Sequence, residues 1–71
     1  MNAMQKNDVS IGKKCQCQSV LLGDVFEGDV VALYENTCIV ELKNCAPQDT
    51  ARALEFNNRF VIRFEDMTAA S

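Results

Sequence analysis

The sequence predicts an all-β fold, a small barrel of four to five short strands with one short helical turn. Three observations predict it. Residues 25–34 and 37–42 are strand-favouring runs that meet at the polar pair Glu35-Asn36, and residues 59–65 (RFVIRFE) form a third such run. β-branched and aromatic side chains dominate all three, and these suit a pleated, half-buried surface. Gly23-Asp24, Glu35-Asn36 and Asn57-Asn58 punctuate the runs with residues that turn a chain.

Residues 1–12 (MNAMQKNDVSIG) are polar apart from Met1, Ala3, Met4, Val9 and Ile11, and they read as a flexible N-terminal arm. Residues 15–21 alternate, which suggests a first strand with Cys15, Cys17, Ser19 and Leu21 on one side. Gly28-Asp29 interrupts the second run, where a bulge or sharp bend lets one strand serve two parts of a small barrel. Phe26 before the bend points inward. Across the Glu35-Asn36 turn, where Asn tolerates the left-handed conformation of a tight hairpin, Cys38, Val40 and Leu42 make a core face. Residues 43–58 change character. Pro47 suits a first helical position and Asp49 the positive end of the helix dipole. One or two helical turns are expected between 47 and 56, with Ala51, Leu54 and Phe56 toward the barrel and Asn57-Asn58 as the stop. In the last run Phe60, Ile62 and Phe64 share one face. The domain is thus expected over residues 13–66, and residues 67–71 as a frayed tail.

The totals narrow the function classes. A chain of 71 residues is one domain and buries only about 60% of its unfolded surface, so it has little stability in reserve. No apolar run approaches the roughly 20 residues of a membrane span. The first ten residues lack the apolar centre of a signal peptide, so a cytoplasmic location is expected. The net charge is −3 and Lys13-Lys14 is the only adjacent basic pair. Generic capture of phosphate backbones needs a basic face that this balance does not supply. There is no histidine, which removes the commonest general base and the commonest zinc ligand.

Three constellations could carry chemistry. Cys15, Cys17, Cys38 and Cys45 match the ligand count of structural zinc. A Cys-x-Cys pair on a strand, however, places its sulfurs about 7 Å apart on one face rather than in a knuckle, so reduced, metal-free packing thiols are expected. Asp24, Glu27, Asp29 and Glu35 cluster around the hairpin but sit at turn positions, and no nucleophile motif or phosphate-binding glycine loop accompanies them. Neither catalysis nor a cofactor is expected. Phe56, Arg59, Phe60, Arg63 and Phe64 could form a stacking platform with positive rims; the period-two spacing of Phe60, Ile62 and Phe64 fits an inward face better. Arg59 and Arg63 remain the candidate partner-binding residues.

Gly23-Asp24-Val25-x-Glu27-Gly28, then Val30 and Tyr34-Glu35-Asn36-Thr37-Cys38-Ile39-Val40-Glu41-Leu42, resemble the conserved segment of a bacterial family of very short proteins, a domain of unknown function similar to KOW-type SH3-like barrels. Leu54, Arg59, Phe60, Val61 and Ile62 fit the family's later portion. Its last strand usually continues into an Asn-His-Lys-like polar run, where this chain has Arg63-Phe64-Glu65. The hairpin also looks like the opening of an S1-type RNA-binding OB domain, but residues 43–71 hold one convincing strand where that fold needs two.

The resemblance implies an SH3-like, KOW-like barrel and a small non-catalytic binding module associated with ribosomal, RNA or transcription machinery. The charge balance favours the alternative, a protein–protein adaptor or homo-oligomeric structural domain with no nucleic-acid contact. In either case no strong generic nucleic-acid binding and no membrane association are expected.

Overall fold

In the computed structural model, which describes residues 6–69, the chain forms five antiparallel strands in one sheet and one short helix. The strands are β1 (Lys14–Cys17), β2 (Phe26–Leu33), β3 (Thr37–Asn44), β4 (Arg59–Arg63) and β5 (Met67–Ala69), and the helix is α1 (Thr50–Glu55). Spatial order is β4-β3-β2-β1-β5. The ladder does not close on itself, so β4 and β5 are its two edges. Among the described residues, no helix is long and apolar enough to cross a membrane.

The hairpin of β2 and β3 is the centre of the sheet, with Val30 opposite Val40 and Leu33 opposite Cys38. Tyr34 N–H donates to the Thr37 carbonyl at 2.8 Å and closes the turn. Asn36 does not take the left-handed conformation expected of it; the described non-glycine residues that do are Asn57 and Asn58, at φ 57° and 59°. They end α1 and lead the chain into β4.

The register of β2 slips twice, between Glu27 and Gly28 and between Val30 and Ala32. The first slip lies beside the expected bend. A Cβ on Gly28 would stand 2.5 Å from both the Glu41 carbonyl oxygen and Val40 Cγ1, so the strands cross here only because the side chain is absent. The second slip leaves Val31 as the extra residue.

One face of the sheet holds the core. Cys15, Cys17, Phe26, Val30, Cys38, Val40, Phe60, Ile62 and Met67 are all at most 3% exposed. Phe26 and Phe60 rings meet at 5.2 Å between centroids, and Phe56 adds a second contact to Phe60 at 5.6 Å. Leu42 is only partly buried at the end of its strand.

Several expectations need correction. The first strand ends at Cys17, and residues 18–24 leave the sheet with Leu22 buried and Leu21 exposed. The frayed tail is, over Met67–Ala69, strand β5, because Met67 fills the core and pairs with Cys17; residues 70–71 lie outside the described residues. The arm is docked from Val9 onward. Val9 is buried, and Gly12, at φ 91°, donates its N–H to the Val30 carbonyl while Lys13 accepts from Val30 N–H; residues 1–5 lie outside the described residues. The helix buries Ala53 and packs Phe56, whereas Ala51 and Leu54 are exposed. Its phase differs because Pro47–Asp49 is a 3₁₀ turn and the α-helical pitch starts only at Thr50.

Candidate functional site

The constellations separate once folded. Cys15, Cys17 and Cys38 all point into the core, and Cys38 Sγ lies 3.4 Å from Met67 Sδ. Burial pushes the Cys17 thiol up to about 12 and Cys38 to about 11, with the neighbouring sulfurs adding to the effect. Such thiols are held protonated and are poor nucleophiles and poor metal ligands. Cys45 is partly exposed in the connection after β3, with its sulfur 3.9 Å from Thr50 Oγ1. Among the described residues, no group of three or more His, Cys, Asp or Glu side chains could hold a metal ion.

The carboxylates likewise do local work. Asp24 Oδ1 accepts from Val25 N–H at 2.8 Å, a turn bond. The residue that spacing did not single out for this work is Asp49, the one buried charged residue among those described. Its two oxygens accept the N–H groups of Gly23 and Asp24, each at 3.1 Å, and so tie the start of β2 to the 3₁₀ turn ahead of α1. Only the tertiary pairing of segments 25 residues apart reveals this role.

The aromatic platform resolves into core, with Phe60 and Phe64 buried. The arginines stand on its reverse. Arg59, Val61 and Arg63 alternate outward along β4 and are exposed, with Val61 at 67%. Both arginines are engaged by carboxylates. Arg59 Nη2 lies 3.3 Å from Glu41 Oε2, and Lys43 Nζ holds the other Glu41 oxygen at 2.7 Å. Hydrogen bonding to Lys43, with help from Arg59, keeps the Glu41 carboxyl below the usual carboxylate range. Arg63 Nε donates to Asp66 Oδ2 at 3.0 Å and Nη1 sits 3.0 Å from Glu65. Arg52, the remaining arginine, pairs with Glu55 at 3.6 Å and lies over the Phe56 ring. Arg59 and Arg63 therefore share a face but do not make a free basic patch.

Beside them runs a groove of about 580 Å³ between β4 and the 18–22 loop. Leu22 and Ile62 give it an apolar lining, Val20 and Val61 stand at its apolar rim, and Gln18, Ser19, Arg63 and Asp66 supply polar groups. It contains no cysteine, lysine or histidine. The alternating pattern of residues 59–65 signalled the strand, but nothing local to it signalled that residues 18–22 would form the opposite wall.

Comparison of the chain with protein-family models, with curated proteins and with solved structures returns no match.

Proposed function

We propose that this chain is a small, non-catalytic, cytoplasmic binding module of the SH3-like, KOW-like kind whose partner is a protein surface. The observation that carries it is that every arginine is paired with a carboxylate of the same chain. Exposed ion pairs contribute little to stability, but they weaken the local positive field that phosphate capture requires. The strand order, with β5 returning beside β1, supports the SH3-like reading. Thiols pushed up by burial, and a groove whose carboxylate, Asp66, is tied to Arg63, support a non-catalytic role. Association with ribosomal or transcription machinery is then association with one of its proteins.

Fluorescence anisotropy against mixed-sequence single- and double-stranded oligonucleotides tests this, paired with affinity purification of the tagged chain with and without nuclease. No binding is expected at low micromolar protein and physiological salt, together with protein partners that survive nuclease. Micromolar, salt-sensitive oligonucleotide binding that Arg59→Ala/Arg63→Ala removes would overturn the proposal.

A further inference from the structure

The β4 edge is unpaired, and the phase of its hydrogen bonds is set by the ladder. Leu42 N–H donates to the Asn58 carbonyl and Phe64 N–H to the Asn36 carbonyl, so the bonded pairs along β4 fall at Phe60 and Ile62. The backbone groups of Arg59, Val61 and Arg63 point away from β3. Arg59 N–H is taken by the Phe56 carbonyl at 3.1 Å. The N–H and C=O of Val61 and the N–H of Arg63 face the open side of β4, whereas the Arg63 carbonyl serves as N-cap of the 3₁₀ turn Phe64–Asp66. An extended segment added antiparallel satisfies these three groups and the Arg59 carbonyl.

We infer that this edge, with its groove, binds an extended peptide segment of another protein as an additional strand. This rests on the reading of the chain as a protein-binding module and names the chemistry of the partner. Side chains opposite Ile62 and Phe60 point inward, and the first enters the apolar groove against Leu22. The residue opposite Val61 faces outward beside Val61, which Ile39 flanks on its other side, so it too is apolar. Charge sets the direction. At the Arg59 end two cations, Arg59 and Lys43, share one carboxylate, Glu41. At the Arg63 end one cation faces two carboxylates, Glu65 and Asp66. The complementary antiparallel strand is therefore basic at its N-terminal end and acidic at its C-terminal end. A second copy fits less well. Paired about Val61 it sets Arg59 directly against Arg63, and like charges opposite one another destabilise a sheet.

The test is an amide-resonance titration with the peptide acetyl-Lys-Leu-Val-Leu-Glu-amide, run to millimolar concentration. Shifts confined to β4 and residues 18–22 are expected. The charge-reversed peptide Glu-Leu-Val-Leu-Lys should bind about threefold or more weakly, the scale of cross-strand charge pairs. Val61→Pro removes an N–H that the β3 ladder does not use, a position where an edge strand accepts proline, and should abolish the shifts. N-methylation of the peptide's central valine tests the same bond with the unaltered protein. No shifts, equal binding by the two peptides, shifts that survive either block, or a β4-mediated dimer on raising protein concentration would each overturn the inference. If protein partners still survive nuclease and oligonucleotides still fail to bind, the edge is excluded while the protein-binding reading stands.

Discussion

Asp49 and Gly28 show how much of this small sheet hangs on single side chains, or on the lack of one. Asp49→Ala leaves the Gly23 and Asp24 N–H groups without their acceptor. Hydrogen bonds to a charged acceptor contribute about 1.5–3 kcal/mol, and a domain of this size loses roughly 4–8 °C of Tm per kcal/mol. Thermal melting should therefore fall by on the order of 10 °C, with Asp49→Asn intermediate because it keeps one oxygen acceptor. Gly28→Ala should cost about 1–3 kcal/mol through overpacking, since its methyl would meet the Glu41 backbone and the fully buried, β-branched Val40 side chain. Chemical denaturation measures both.

The cysteines belong to the same scale. A thiol whose folded value lies above its unfolded value stabilises the fold fully below the unfolded value, here 9.0, and loses that contribution as pH rises toward the folded value. Stability should hold below about pH 9 and decline as pH climbs toward 11 and then 12 for Cys38 and Cys17. Denaturation midpoints across that range check the sign; a Cys17→Ala/Cys38→Ala protein should show a shallower decline. With Ellman's reagent near neutral pH, Cys45 should react in the native protein and all four cysteines only after denaturation.

At the scale of elements, β3 carries the fold because it lies between β2 and β4 and supplies Cys38 and Val40 to the core. Val40→Asp places an unpaired carboxylate at a position with 0% exposure, a cost of several kcal/mol set against the small reserve of a short domain. The expected outcome is loss of cooperative unfolding by circular dichroism. Thr37→Ala, at the partly exposed start of the same strand, should melt close to wild type. A variant Val40→Asp that melted normally would mean that this strand does not face the core.

At the scale of the whole molecule, local pattern and long-range pairing can be separated. The alternation of residues 37–42 and 59–65 determined which side chains face inward, because period two on a strand leaves no other assignment for Phe60, Ile62, Cys38 and Val40. Gly28 announced its bend, and Asn57-Asn58 the end of α1, through backbone conformations that few other residues accept. The charge balance and the missing histidine were legible as composition. Other features depend on contacts between distant segments. Met67–Ala69 reads as a tail because three residues carry too short a pattern to register, and it becomes a strand only when Met67 finds the pocket beside Cys17 and Cys38. Val9 is buried because Gly12 and Lys13 bond to Val30. Asp49 looks like a helix-dipole residue until Gly23 and Asp24 are brought to it. The β4 groove exists because residues 18–22 cross from β1 to face an edge formed some forty residues later in the chain. Hydrophobic period is a property of neighbours along the chain, so the sequence could specify which face of each strand is buried. Which edge stays open depends on which strands find each other, and that was decided only when the chain closed on itself.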